Sequence, residues 1–527
     1  MSKHPALPVA FCPFPGIRPY RENESRFFYG REDHLSQVFN LLAKNQFAAI
    51  LGTSGAGKSS LINAGLLPII NMLQNADSSN GRWQDKGDDW EQPPQIIRMT
   101  PGDGPVRRLA KGLCSGAGKH RQGNSCNECK EWENTLRRGS SHAEHRLYEE
   151  FDIRIRPLII IVDQFEEMFH WLRSETEARP HHAERLVSDA QVFVRRLLEL
   201  RRLPGIFLIM GMRSDYLKDC SNYPDLAAAI ADSLFVIPRL KWGELRQAII
   251  APLLLPEIAI QIDGPPSETI TNRLLNQLTS LPVTEADTLP LMQDLLARAW
   301  HGAHALAVAG QKEKVDFCGF LSGLLDSDLV IPSGRLLLAE SLDNRGDELS
   351  AKTGVPLLSL RLFFAALLRI DSDGRVVRRP LRRSQMEEFT KLGEKDTQKI
   401  LAVFSADPPA WILVSNAEDP LIDIAHEALL RHWRLFSHPN GIPLQKSPSR
   451  DLTMEGLRMA VQLRLSRKQL ISIISVISQG KKNSRQVSEI PETNRQKPES
   501  LALSHALEGV LKILSNNNTI LSHNVQI

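Results

Sequence analysis

The 527-residue sequence is short of several features, and each shortage closes a class of function. Six cysteines are too few to staple a chain of this length, which points to a reducing compartment and a cytoplasmic location. There is no apolar run of about eighteen residues or more, so no transmembrane helix is expected. The opening MSKHPALPVAFCPFPG also lacks the apolar core of a secretory signal. Neither charge sign dominates: 64 Lys and Arg stand against 61 Asp and Glu, a formal charge of +3. That balance argues against nucleic-acid binding by bulk electrostatics and against a membrane-coating role. No repeat with a period of roughly 20–50 residues is visible, so solenoids and propellers are not expected. Apolar residues at 42% and charged residues at 24% are ordinary globular values, which excludes disorder along the whole chain. The length suits about three or four domains.

Apolar patterning divides the chain. Residues 1–35 form an entry segment rich in proline and aromatic residues, followed by helical spacing from Glu32 to Leu42. Short apolar runs at Phe47–Leu51, residues 95–100, Leu158–Val162, Ile206–Met210 and Leu234–Ile237 read as buried strands. Helical patterns lie between them, notably Ser59–Leu73 and Ala183–Arg202, so residues 36–238 are expected to form a mostly parallel sheet covered on both faces. Polar stretches near 74–92 and 114–146 read as insertions. Residues 239–370 read as helix after helix. Residues 371–440 read as a small mixed domain with a turn at Asp373-Gly374 and a strand at Arg375–Val377. Residues 441–527 form a helical extension interrupted by a flexible linker at 481–500 and closed by an amphipathic helix at Leu501–Leu514.

The segment Gly52-Thr53-Ser54-Gly55-Ala56-Gly57-Lys58-Ser59, followed by Ser60, matches G-x-x-x-x-G-K-[ST] and lies between a predicted strand and a predicted helix. Glycines let the backbone curl so that several N–H groups face one phosphate, and the helix N-terminus adds positive potential. Lys58 would reach the β and γ phosphates, and the Ser59 hydroxyl would ligate Mg²⁺. A second run, Gly116-Ala117-Gly118-Lys119-His120, has Leu113 where the first glycine belongs and His120 where the hydroxyl belongs, and is a coincidence. The strand at Leu158–Val162 ends in Asp163-Gln164-Phe165-Glu166-Glu167. A carboxylate there suits the Mg²⁺ shell, so Asp163 is the expected second metal residue, with Glu166 or Glu167 activating water and Glu166 favoured. Arg213, at the tip of the strand beginning at Ile206, is placed to sense a γ-phosphate, unless it simply pairs with Asp215.

Together these residues resemble the STAND class of P-loop ATPases, and more narrowly the bacterial novel STAND group. The opening PFPGIRPYRENESRFFYGRE, Met99–Pro105, LIIIVDQFEEMF, Leu289-Pro290-Leu291 and Asp423–Leu429 carry the likeness in the right order, from about Pro13 to about Trp433. The resemblance implies an additional-strand α/β P-loop core followed by a helical domain and a winged helix, ADP-closed and opened by ATP. It implies Gly30 and Arg31 near adenine and ribose, Pro290 packed on the base, and His426 touching the ADP phosphate. The cofactors implied are ATP or ADP with Mg²⁺, and the partners a protein effector in trans and an ATP-dependent homo-oligomer. With 51 residues before Gly52 and 94 after Trp433, there is too little chain for an effector domain or for a propeller of about 160 residues. A bare switch, a fragment, or one part of a multi-protein system is expected.

A rival function is a nucleic-acid-handling ATPase of the initiator or loader kind, for which the arginines at 375, 378, 379, 382 and 383 offer a basic run. A decayed pseudo-ATPase is disfavoured by the intact Lys58, Ser59 and Asp163. Transporter ATPases are excluded because Leu321-Ser322-Gly323-Leu324-Leu325 lacks their second glycine and glutamine, and no N-K-x-D specifies guanine. Cys114, His120, Cys126 and Cys129 fit no standard zinc-finger spacing and read as loop thiols. Arg195, Arg196, Arg201 and Arg202 read as the exposed side of one helix.

Overall fold

The computed structural model describes residues 11–75, 94–102, 104–118, 126–178, 180–264, 267–280, 287–310, 312, 314–327, 337–370, 376–390, 392–406, 410–415, 419–426, 428–429, 433 and 435. The expected C-terminal extension and its linker, the Asp373-Gly374 turn, Arg375, His120 and nearly all of the 74–92 stretch lie outside the described residues. Two compact units are present. Of the described residues, the first takes in 11–13, those from 19 to 289 and those from 312 to 318, and the second takes in 14–18, 290–310 and those from 319 to 435.

In the first unit the strands are β1 (Phe47–Gly52), β2 (Gln95–Met99), β3 (Leu158–Val162), β4 (Ile206–Arg213) and β5 (Leu234–Val236). They form one sheet in the order β2-β3-β4-β1-β5, and every neighbouring pair is parallel. β4 is thus wedged between β1 and β3, with Leu51 beside Met212 and Val162 beside Met210. The helices are α1 (Glu32–Asn45), α2 (Lys58–Ser60), α3 (Leu67–Asn75), α4 (Pro105–Gly116), α5 (Asn127–Arg138), α6 (Ser140–Phe151), α7 (Glu167–Ala178), α8 (Ala183–Leu200), α9 (Pro224–Asp232), α10 (Trp242–Ile250), α11 (Pro256–Ala259) and α12 (Glu268–Ser280). A π-helical turn, Leu61–Leu66, joins α2 to α3.

Successive strand side chains point to opposite faces, so a strand buried on both sides must be apolar at every position. β3 is LIIIV, and all five residues are buried. Ile159 and Ile161 join one core with Ala48, Ile50, Val38 of α1 and Leu66. Leu158, Ile160 and Val162 join the other with Ala49, Leu51, Leu109 of α4 and Phe193 of α8. At ~2 kcal/mol for each buried side chain, this strand alone removes roughly 10 kcal/mol of apolar surface from water.

The stretch from Cys114 to Arg146, expected to lack periodicity, carries the end of α4, all of α5 and half of α6. The buried residues of α5 and α6 form a narrow stripe, Trp132, Leu136, Ala143, Leu147 and Phe151, on otherwise charged helices. Arg196 is likewise not on the exposed side of α8. It is buried, and its Nε donates to the Leu136 carbonyl at 2.7 Å, which fixes α8 to the C-terminal turn of α5.

Within the second unit run α13 (Thr288–Ala309, from Pro290 on), α14 (Phe317–Ser327, from Gly319 on), α15 (Leu337–Thr353) and α16 (Leu357–Ala366). Next come the antiparallel pair β6 (Leu368–Ile370) and β7 (Val376–Arg378), then β8 (Leu381–Arg382), α17 (Arg383–Thr390), α18 (Glu394–Ala406), β9 (Ile412–Val414) and β10 (Leu421–Ile424). The last three strands form an antiparallel sheet in the order β8-β10-β9. The core is aromatic: the Trp433 ring lies 5.1 Å from Phe364 and 5.2 Å from Trp411. A buried ion pair, Arg345 to Asp294 at 3.1 Å, ties α15 to α13.

Candidate functional site

In a parallel sheet of this kind the C-terminal strand ends form one edge, and ligands bind in the crevice beyond it. Here β1 ends at Gly52, β3 at Val162 just before Asp163, and β4 at Arg213. The Gly52–Ser59 loop crosses this edge and enters α2. Gly57 has φ of +92°, a left-handed conformation that costs any other L-residue roughly 1–2 kcal/mol, so glycine there is a backbone requirement. Lys58 turns back over the loop: its Nζ donates to the carbonyls of Gly52 at 2.8 Å and Thr53 at 2.9 Å. Thr53, Ser54, Gly55 and Ala56 form the exposed to half-buried rim, and Ser59 is the second residue of α2. The Ser60 hydroxyl accepts the Tyr20 N–H at 3.2 Å, and the Asn63 side chain donates to the Tyr20 carbonyl, so the entry segment is fastened to the loop's helix.

Asp163 follows β3 directly. Its Oδ1 accepts the backbone N–H of Gln164 at 2.9 Å, a bond that fixes the carboxylate. Opposite it stands Gly211 of β4, where a Cβ would lie 2.7 Å from Asp163 Oδ1 and 3.1 Å from Ile62 Cδ1. No local pattern around Gly211 reveals that this glycine clears space for the carboxylate. Glu166 is buried, and its Oε2 accepts the Arg213 N–H at 3.2 Å. Burial pushes the Glu166 carboxyl above the usual carboxylate range, while the charges of Lys58 and Arg213 pull the other way. Glu167, half-buried, opens α7. The Arg213 guanidinium donates to Asp215 at 2.8 Å, so the pairing weighed against a sensing role is present. Lys58, Asp163, Glu166 and Arg213 therefore share one sheet edge.

Gly30 and Arg31 precede α1. Gly30 packs so tightly on the backbone carbonyl of Glu244 that a Cβ would sit 2.4 Å from it. Arg31 is buried and donates through Nη2 to the Ala56 carbonyl in the phosphate loop at 3.1 Å, and through Nη1 to the Pro238 carbonyl after β5 at 2.7 Å. Burial lowers its pKa to about 10, still charged at neutral pH. Burial, and then the neighbouring Arg31 charge, also lower the pKa of His34. Arg31 thus braces the loop from behind, a role that spacing alone could not disclose. Leu289 completes the loop's surroundings, 3.9 Å from where a Cβ on Gly57 would be.

In the second unit, Pro290 is a buried residue in the first turn of α13. His426, half-buried, accepts the Ala428 N–H on Nδ1 at 3.0 Å, which leaves the proton of the neutral ring on Nε2. Trp433, seven residues on, packs among Phe364, Phe404 and Trp411.

Mg²⁺ prefers hard oxygen donors, and the hydroxyl of Ser59 with the carboxylate of Asp163 is such a set. The Lys58 ammonium, held by two neutral carbonyls at the loop's mouth, fits a phosphate that would offer it charged acceptors.

No curated protein matches the chain significantly. Among solved structures, it is similar to Cdc6p from Pyrobaculum aerophilum at 13% identity, over 83% of this chain and 94% of that one, with a TM-score of 0.31. It is similar to the ORC2 protein of Aeropyrum pernix in its ADPNP–ADP complexes at 12% identity, over 85% and 95%, with a TM-score of 0.36. A Walker-type ATPase of Pyrococcus abyssi matches at 13% identity, over 79% and 98%, with a TM-score of 0.31. The profile of the family described as novel STAND NTPase 1 matches residues 13–321, which contain the whole phosphate-loop edge. That match spans more than half of the 527 residues, and the chain belongs to the novel STAND NTPase 1 family.

Proposed function

We propose that this nucleotide-binding ATPase is a conformational switch that binds ATP, hydrolyses it slowly, and is closed with ADP and open with ATP. The observation that carries the proposal is the convergence of Lys58, Asp163, Glu166 and Arg213 on one sheet edge around a glycine loop. Bound ATP with Mg²⁺ would supply the scissile phosphoanhydride and a divalent cation to neutralise its oxygens. Ser59 and Asp163 would hold that cation. Lys58 exchanges the Gly52 and Thr53 carbonyls for phosphate oxygens, neutral acceptors for charged ones. Glu166, made more basic by burial, orients a water molecule and takes its proton. Glu167 is the alternate base.

Arg213 supports the switch reading. A γ-phosphate would draw on the same guanidinium that Asp215 holds, so a carboxylate-paired and a phosphate-facing arrangement would compete. A ligand shifts such an equilibrium only by its differential affinity for the two states. We assign Gly30 to the adenine side of the site, Pro290 to base packing, and His426, with its Nε2–H donor, to sensing ADP. Residues 371–440 are read as the winged helix, and ATP-dependent self-association or a protein effector as the output.

The initiator-like alternative draws less support. Arg378 pairs with Asp423 at 2.7 Å, Arg383 with Glu394 at 3.1 Å, and Arg379 stacks on Phe389, so much of the basic run is engaged inside its own unit. The decisive experiment combines ADP calorimetry with sizing in ADP and in a non-hydrolysable ATP analogue, for wild type and Lys58→Ala. Wild type should change hydrodynamic size between nucleotides, and Lys58→Ala should bind neither. Wild-type affinity in the variant, or one size in all states, defeats the proposal.

A further inference from the structure

We propose that Cys114, Cys126 and Cys129 form a zinc site, separate from the phosphate loop, that clamps the end of α4 to the start of α5. Their three sulfurs all lie within 4.8 Å of one another. Two come from the Cys126-x-x-Cys129 turn, in which Cys126 caps the N-terminus of α5 and Cys129 follows in its first turn. The third comes from Cys114, in the last turn of α4. A tetrahedral ion with Zn–S bonds of about 2.3 Å requires sulfurs about 3.8 Å apart. Cys114 Sγ and Cys126 Sγ are 3.7 Å apart, too far for a disulfide and close to that requirement.

The surroundings suit a soft cation. Cys114 is buried in the core beneath β2, and Cys126 and Cys129 pack against the same core while remaining partly accessible, which gives an ion a path in. The N–H groups at the start of a twelve-residue helix stabilise thiolate charge. Glu128, inside the motif, is drawn off by Arg146 at 3.0 Å, and Arg146 also holds Glu150 at 2.7 Å and lies over the Trp132 ring. Among the described residues no His, Asp or Glu joins the three sulfurs. His120, which accompanies these cysteines in the sequence, lies outside the described residues, so the site rests on the three sulfurs. Binding releases the thiol protons, and no redox change is involved.

The test uses the full chain, stripped with a chelator under reducing conditions, reloaded with ZnCl₂ and passed through a desalting column. Wild type should retain one zinc per chain, and the Cys114→Ser, Cys126→Ser and Cys129→Ser variants should each lose it. Added zinc should slow alkylation of Cys126 and Cys129 in wild type by more than about tenfold, a readout that needs no variant to fold. Cobalt substitution should give thiolate-to-metal charge-transfer absorption in wild type only. Zinc retained equally by the triple serine variant, or alkylation rates unmoved by zinc, overturns the site.

Discussion

Replacing Gly211 by alanine isolates the metal residue without touching it. The added Cβ would stand 2.7 Å from Asp163 Oδ1, about 0.7 Å inside the 3.4 Å at which ordinary contact begins. Asp163 has a short side chain, so its carboxylate must rotate, giving up the 2.9 Å bond from the Gln164 N–H. A hydrogen bond to a charged acceptor is worth about 1.5–3 kcal/mol. Reduced chain entropy in the unfolded state returns about 0.4–1 kcal/mol. The net loss of stability should be about 1–2 kcal/mol, small enough for the protein to remain folded. The functional loss should be larger, because the displaced carboxylate is a proposed ligand. The Mg²⁺ concentration for half-maximal hydrolysis should rise by about tenfold or more, while ADP binding without Mg²⁺ stays within about threefold of wild type. Mg²⁺ titration of ATPase activity, paired with calorimetry in EDTA, measures both. A folded Gly211→Ala protein with an unchanged Mg²⁺ midpoint would refute the role of Asp163.

Two more substitutions bear on the same edge. A carboxyl whose pKa folding raises binds more protons folded than unfolded, so its contribution is intact below the ordinary carboxylate value and is lost as pH climbs toward the raised one. Glu166→Gln should therefore flatten the rise in melting temperature seen on acidifying through that window, and should melt no lower than wild type at neutral pH. Its hydrolysis should fall by about a hundredfold or more, and a lower neutral melting point with near-normal turnover would count against the assignment. Arg31→Ala removes bonds to the Ala56 and Pro238 carbonyls, each worth about 1.5–3 kcal/mol before the relieved desolvation of the guanidinium is subtracted. ADP affinity should drop about tenfold, with Arg31→Lys intermediate because one ammonium cannot span both carbonyls, and unaltered calorimetric affinity in Arg31→Ala would sink the bracing role.

The strands were legible because parallel strands are buried on both faces, and LIIIV or FAAIL admits few other readings. The phosphate loop was legible because its residue types are dictated by the backbone path. α5 and α6 were not: each buries only two or three side chains, and pairs such as Arg146 with Glu128 and Glu150 mask the helical period behind a polar composition. Arg196 looked like solvent-facing charge, because nothing local announces that a carbonyl at Leu136 awaits it. Gly211 and Arg31 act through partners 48 and 207 residues away, Asp163 and Pro238, and such pairings exist only once the sheet has formed.

Arg31 joins the segment just before α1 to the chain just after β5, with the phosphate loop held between them. Excising a minimal binding fragment must respect that closure. A piece that starts at β1, or stops at β5, keeps every residue of the loop motif and yet discards the brace on which its shape depends.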